Sequence, residues 1–165
     1  MEAKECIVCR RPKLNHECGV CLGGICKKCA VTLEKDSFSF LATVPTELSH
    51  KYYCGPCYDE KVAPELQSYT QTMARMRRVI VFMKGQGEET RLMNRKEKPI
   101  RVDSCEDKEE TLLRLAFIAV RSNCNGLLDV EINPRKVKNA GYSTTLWTGV
   151  AIPTHLDEKR FEDQK

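Results

Sequence analysis

The chain has 165 residues, 41% of them hydrophobic and 30% charged, with a formal charge of +4. That length suits one ordinary domain or two small ones, and the composition excludes a disordered or membrane-embedded chain. No apolar run approaches the ~20 residues needed to span a bilayer, and the first residues, Met1-Glu-Ala-Lys-Glu-Cys6, lack the apolar core of a secretory signal, so a cytoplasmic location is expected.

The first 57 residues hold eight of the ten cysteines, all in Cys-x-x-Cys pairs, spaced Cys6-x2-Cys9-x8-Cys18-x2-Cys21-x4-Cys26-x2-Cys29-x24-Cys54-x2-Cys57. Under reducing conditions this usage points to thiolate–metal chemistry rather than disulfides. A Cys-x-x-Cys turn places two sulfurs on one side of a tight loop, close enough to share a tetrahedral ion at ~2.3 Å. Four such knuckles supply two closed sites of four thiolates each, so two structural Zn²⁺ are expected. Interleaved pairing gives Cys6, Cys9, Cys26 and Cys29 as one site and Cys18, Cys21, Cys54 and Cys57 as the other. The short gap between Cys21 and Cys26 favours it over sequential pairing, which stays open.

The Cys-free interval between Ala30 and Tyr53 contains an apolar stretch from Phe38 to Val44, a candidate contact surface or a patch covered by the second domain. A helix starting near Pro64 and running to Met76 is read as a connector. The domain plan is therefore a zinc module over 1–62, a connector over 63–76, a second domain over 77–153 and a charged, frayed tail over 154–165.

The second domain reads as a strand over Val79–Met83, short strands near Thr90–Met93 and Ile100–Val102, and a helix after the capping-box-like Ser104-Cys-Glu-Asp107. That helix carries Leu112, Leu115, Ala116, Ala119 and Val120 on one face and stops at Asn123–Gly126. Strands over Leu127–Ile132 and Tyr142–Ile152, joined by a loop containing Pro and Gly, complete the domain. The fold class is α+β, with one main helix packed on an antiparallel sheet.

Paired cysteines around a central Cys-x2-Cys-x4-Cys-x2-Cys resemble the FYVE and FYVE-related fingers of the RING/PHD cross-brace group, over roughly residues 4–62. The resemblance implies a cross-braced double zinc site with β-hairpins and a short terminal helix. It also implies either phosphoinositide-dependent membrane targeting or binding to proteins. The lipid signature of that family is a basic stretch at the third cysteine, where this chain has Leu14-Asn15-His16-Glu17-Cys18-Gly19. Only His16 and Cys18 correspond, and Glu17 opposes a phosphate. Tyr52-Tyr53-Cys54 replaces the family's Arg-Val-Cys. A protein partner is the leading expectation and a phosphoinositide membrane the alternative.

Residues 79–152 are similar to the bacterial YbjQ-like family of heavy-metal-binding-type domains, which implies self-association through this half. The similarity lies in the helix end over Ser122–Gly126, the following strand, Gly141-Tyr142 and Trp147-Thr-Gly149-Val-Ala151.

Other chemistries compete less well. A RING-like ubiquitin ligase usually has a histidine among its middle ligands, and a PHD reader needs one where Cys26 stands. Cys54-Gly-Pro-Cys57 matches the thioredoxin tetrapeptide and would make Cys54 a low-pKa nucleophile, but Gly and Pro suit a zinc knuckle equally. Cys105 and Cys124 are metal ligands, redox thiols or small hydrophobes at the two ends of the helix. His50 and His155 are isolated, and no catalytic constellation emerges, so the chain is expected not to be an enzyme. Residues 1–62 hold 9 Lys/Arg against 8 Asp/Glu. Two thiolate-bound zinc ions would take that module to about −3, a poor footprint for nucleic acid. The basic set Arg75, Arg77, Arg78, Arg91, Arg95, Lys96, Lys98 and Arg101 is the candidate surface for an anionic partner.

Overall fold

The structure, a computed structural model, describes residues 4–86 and 88–160. The chain divides into two compact units, Met1–Gln71 and Thr72–Lys165.

In the first unit, β1 (His16–Glu17) pairs antiparallel with β2 (Gly24–Ile25), and β3 (Ala30–Thr32) with β4 (Tyr52–Cys54). These strands are too short to be stable alone, and cysteine turns adjoin them: Cys18–Cys21 between β1 and β2, Cys26–Cys29 between β2 and β3, and Cys54–Cys57 at the end of β4. Helix α1 (Gly55–Cys57) follows β4, with Pro56 in its first turn, where a missing N–H costs nothing. A π-helical segment, Tyr58–Val62, carries the chain into α2 (Ala63–Met76). Pro64 cannot donate to the carbonyl four residues back, and the wider turn just before it takes up that mismatch, the Ala63 N–H reaching the Tyr58 carbonyl instead.

Helical structure thus begins at Gly55 rather than near Pro64, and its first part is more than a connector. Leu66 and Tyr69 pack against the core formed by Ile25, Leu33, Phe38, Leu48, Tyr53 and Val62. Phe38 meets Tyr69 edge-on at 5.2 Å, and the Tyr69 hydroxyl accepts a hydrogen bond from the Phe40 N–H at 3.1 Å. The expected contact surface over residues 38–44 is corrected in part. Phe38 is only 3% exposed and Leu41 is half-buried, so these two serve the unit's own core, while Val44 stays exposed. Tyr53 is fully buried, its hydroxyl donating to the Glu47 carbonyl at 2.8 Å and accepting from the His50 N–H at 3.1 Å.

The second unit places α3 (Lys108–Arg121) on a four-stranded sheet of order β5-β7-β8-β6. The strands are β5 (Ile80–Met83), β6 (Ile100–Cys105), β7 (Gly126–Asn139) and β8 (Tyr142–Thr154). This is the expected α+β layer of one main helix on a sheet. One edge differs from the expected antiparallel pattern: β5 runs parallel to β7, the crossover being supplied by the intervening β6 and α3. No strand forms over residues 90–93, because Thr90 closes a 3-10 turn instead.

Helix α3 buries Thr111, Leu115, Ala116, Phe117, Ala119 and Val120. Leu112, expected on that face, is only half-buried. Contact with the sheet is close at Gly149, where a Cβ would lie 2.5 Å from Thr111 Cγ2 and 2.9 Å from Leu115 Cδ1. The capping box also shifts along the chain. Ser104 lies in β6 with φ +59°, and Asp107 is the cap, accepting from the Glu110 N–H at 2.7 Å, while the Glu110 carboxylate accepts from the Glu106 N–H at 2.6 Å.

The expected loop between the last two strands is instead a long hairpin. β7 and β8 pair continuously to Asn139↔Tyr142, with Ala140 (φ +47°) and Gly141 (φ +88°) forming a two-residue turn of the left-handed type that hairpins favour. Pro134 lies inside β7, opposite Trp147. It is tolerated because β5 pairs with β7 only as far as Val130, which leaves Pro134 on an edge. The tail is corrected in part. Leu156 is buried, and the Asn125 side chain grips its backbone from both sides, at 2.6 and 2.8 Å. Residues 161–165 of the expected frayed segment lie outside the described residues.

Candidate metal centre

Two backbone designs hold the four knuckles. After Cys9 and Cys21, Arg10 (φ +61°) and Leu22 (φ +60°) adopt the left-handed conformation. In each, the N–H of that residue returns to the carbonyl of the first cysteine, Arg10 to Cys6 at 2.8 Å and Leu22 to Cys18 at 3.0 Å. The other two pairs sit on helical turns. The Cys29 and Ala30 N–H groups both bond the Cys26 carbonyl, at 3.1 and 3.0 Å, and Cys54 stands just before α1, which carries Cys57. In both cases a short hairpin delivers the helical knuckle: β2 ends next to Cys26, and β4 ends on Cys54.

Each turn-type knuckle meets a helical one. Cys6, Cys9, Cys26 and Cys29 bring their sulfurs within 4.8 Å of one another, and so do Cys18, Cys21, Cys54 and Cys57. This is the interleaved grouping. The chain from Cys9 to Cys18 leaves one cluster for the other, and the chain from Cys21 to Cys26 returns, so the two clusters brace each other.

The dimensions fit an ion. A tetrahedron with sulfurs ~2.3 Å from its centre has edges of about 3.8 Å. Across the knuckles, Cys9 Sγ lies 3.6 Å from Cys26 Sγ and Cys21 Sγ 4.0 Å from Cys54 Sγ. Both clusters could therefore hold a metal ion, with all four positions taken by protein. The Cys26 N–H also points at Cys6 Sγ at 3.4 Å, the kind of backbone donor that stabilises thiolate charge.

Electrostatics explain why the bare clusters call for a cation. Four thiols so close cannot all ionise unaided. The Cys9 and Cys26 N–H groups, outweighing burial, pull Cys6 down to about 6. Burial opposes ionisation of Cys18, yet the N–H groups of Cys54 and Cys21 prevail and bring it to about 6 as well. Their neighbours move the other way. Cys29 is pushed up to about 12, first by its contact with Cys26, and Cys57 is pushed up strongly by burial and then by Cys54. A divalent ion removes that conflict and releases the held protons.

Other candidate residues fall elsewhere. Cys54 is 2% exposed and is raised rather than lowered, chiefly by burial, so Cys54-Gly-Pro-Cys57 lacks the exposed, low-pKa thiol of a dithiol oxidoreductase. Cys105 and Cys124 are buried, their sulfurs 3.8 and 3.7 Å from the Asp103 and Ser122 carbonyls. Among the described residues, neither joins a group of three or more ligating side chains. His16 stacks on Tyr52 at 3.7 Å, while His50 meets Tyr53 edge-on. The basic set is partly neutralised: Arg95 grips Asp129 through two bonds, at 2.8 and 3.3 Å, and Arg101 pairs with Asp103.

A feature that sequence reasoning missed is an open groove of about 630 Å³ along β1, lined by Leu14, Asn15, His16, Glu17, Leu22 and Gly24 together with Lys4 and Glu5. Among the described residues β1 pairs in a sheet with β2 alone, and β4 lies beside it, the His16 ring stacking on Tyr52 and the Gly19 N–H donating to the Tyr52 carbonyl at 3.0 Å. The acidic Glu17 within Leu14–Glu17 was the available signal.

No protein-family model, curated protein or solved structure matches the chain, so its function is argued from geometry. No helix among the described residues is long and apolar enough to cross a membrane.

Proposed function

We propose that the chain is a non-catalytic, cytoplasmic interaction protein whose first unit is a zinc-held, FYVE-like cross-brace finger. The observation that carries this reading is the gathering of eight thiols into two four-sulfur sets of tetrahedral size. Soft thiolates select zinc among the common structural ions, and a set with no open position supports folding rather than catalysis. Eight reduced thiols suit a reducing compartment.

The contact surface in this reading is the groove beside β1. Its partner is a protein segment that lies in this groove and carries a basic side chain toward Glu5 and Glu17. The same two carboxylates oppose a phosphoinositide headgroup, against which Lys4 is the one Lys or Arg among the described residues lining the groove. Native mass spectrometry tests the zinc assignment, with two ions per chain expected. Titration with basic and acidic peptides tests the surface. Basic peptides should bind, and Glu17→Lys should abolish binding while both ions are retained. Binding to phosphoinositide vesicles in place of peptides would overturn the protein-partner reading.

A further inference from the structure

The second unit carries a surface that the zinc finger does not explain. Beyond Val130 on β7 and Trp147 on β8, neither strand has an outer neighbour among the described residues, because β5 and β6 end their pairing there. Arg135–Lys138 and the residues opposite them therefore project as a free two-stranded ribbon, in register from Arg135↔Leu146 to Asn139↔Tyr142. Five residues at ~3.3 Å each make it about 17 Å long. Such a ribbon is marginal in water on its own, and most of its side chains are exposed, Tyr142 by 80%.

Its charge is one-sided. Arg135, Lys136 and Lys138 lie within it, and no acid occurs from Asn133 to Thr148. None of the three cations has an ion-pair partner among the described residues, in contrast to Arg95 and Arg101. At the foot of the ribbon, the Lys108 ammonium lies 5.2 Å over the Trp147 ring. Strand alternation puts Lys136 and Lys138, opposite Thr145 and Ser143, on one face and Arg135 on the other.

We propose that this ribbon is an arm that enters the groove of a nucleic-acid duplex, its cations meeting phosphates on both walls. A B-form major groove, about 12 Å wide, admits a two-stranded β-ribbon. Cations on both faces suit insertion between two phosphate walls, whereas a flat anionic membrane engages one face. Ser143, Thr144 and Thr145 add hydroxyls of the kind that bond phosphate oxygens. The acidic balance expected of a zinc-loaded first unit does not count against this, because phosphate attraction is local over a Debye length of ~8–10 Å.

The test is fluorescence anisotropy of a labelled 20-base-pair mixed-sequence DNA duplex with the full, zinc-loaded chain, from roughly 50 to 200 mM salt. Three phosphate contacts predict a log–log salt slope near −2.7, a loss of about 40-fold across that range. R135A/K136A/K138A should abolish most of that slope, and R135K/K136R/K138R should preserve it. Duplex-induced amide shifts at Tyr142, Thr144 and Thr145 in the unaltered chain give a reading that needs no variant. The proposal is overturned by absence of duplex binding at 50 mM salt, by a slope indifferent to the alanine variant, by amide shifts confined to the first unit, or by ribbon-dependent binding to phosphatidylserine vesicles without duplex binding.

Discussion

In the first unit, short β-hairpins and a modest set of apolar side chains surround eight thiols, whereas the second closes a helix over a four-stranded sheet through Leu115, Phe117, Val120, Leu127, Leu128 and Val130. The first replaces much of a hydrophobic core with the potential to bind ions, the usual recourse of modules too small to bury enough apolar surface. The second depends on burial and capping alone. The two should therefore fail under different insults.

Metal removal should separate them most. In a strong chelator the first unit should lose its dispersed amide resonances while the second keeps its own, since structural zinc contributes an apparent ~10–16 kcal/mol in small fingers. Retention of the first unit's resonances would place its stability in the apolar core instead. Cys18→Ser sharpens the same comparison. Because the chain threads between the clusters, both ions should be lost more readily, as read by competition with a chromogenic chelator, rather than the Cys18 cluster alone being affected.

Smaller effects fall on the second unit. Leu115→Ala, beneath α3, should lower its unfolding free energy by about 2–5 kcal/mol in urea titration and leave zinc stoichiometry at the wild-type value. Asp107→Ala removes the α3 cap and should cost about 1 kcal/mol. Acid should produce a related, milder loss. The Glu106 N–H, and then Arg114, hold the Glu110 carboxyl below its ordinary range. Its contribution is complete above the unfolded-state value and disappears as pH falls through the folded-state value. Melting of the second unit between pH 7 and 3 should be less pH-dependent in Glu110→Gln.

Features set by neighbouring residues were legible in the sequence. Two sulfurs separated by two residues meet on one turn whatever surrounds them, so the eight candidate ligands were visible, and the x4 interval already leaned toward the interleaved grouping. Leu115, Ala116, Ala119 and Val120 announced the buried face of α3 by helical period. Less legible were features needing a distant partner. Phe38 and Leu41 looked like a surface because the residue that meets Phe38, Tyr69, lies far along the chain on a helix read as a connector. The cap was read at Ser104 because both boxes satisfy the same short pattern, and only the extension of β6 to Cys105 decides between them.

Cysteine spacing by itself determined which thiols could share a metal ion, because metal ligation depends on donor type and short-range geometry. Tertiary structure alone decided that Pro134 belongs to a strand, that Arg95 is tied to Asp129 at a bulge in β7, and that Arg135, Lys136 and Lys138 stand free on a ribbon. The reason is that neighbouring strands and opposite charges are brought together from positions far apart in the chain. Whether a proline is tolerated or a cation left unpaired depends on those neighbours.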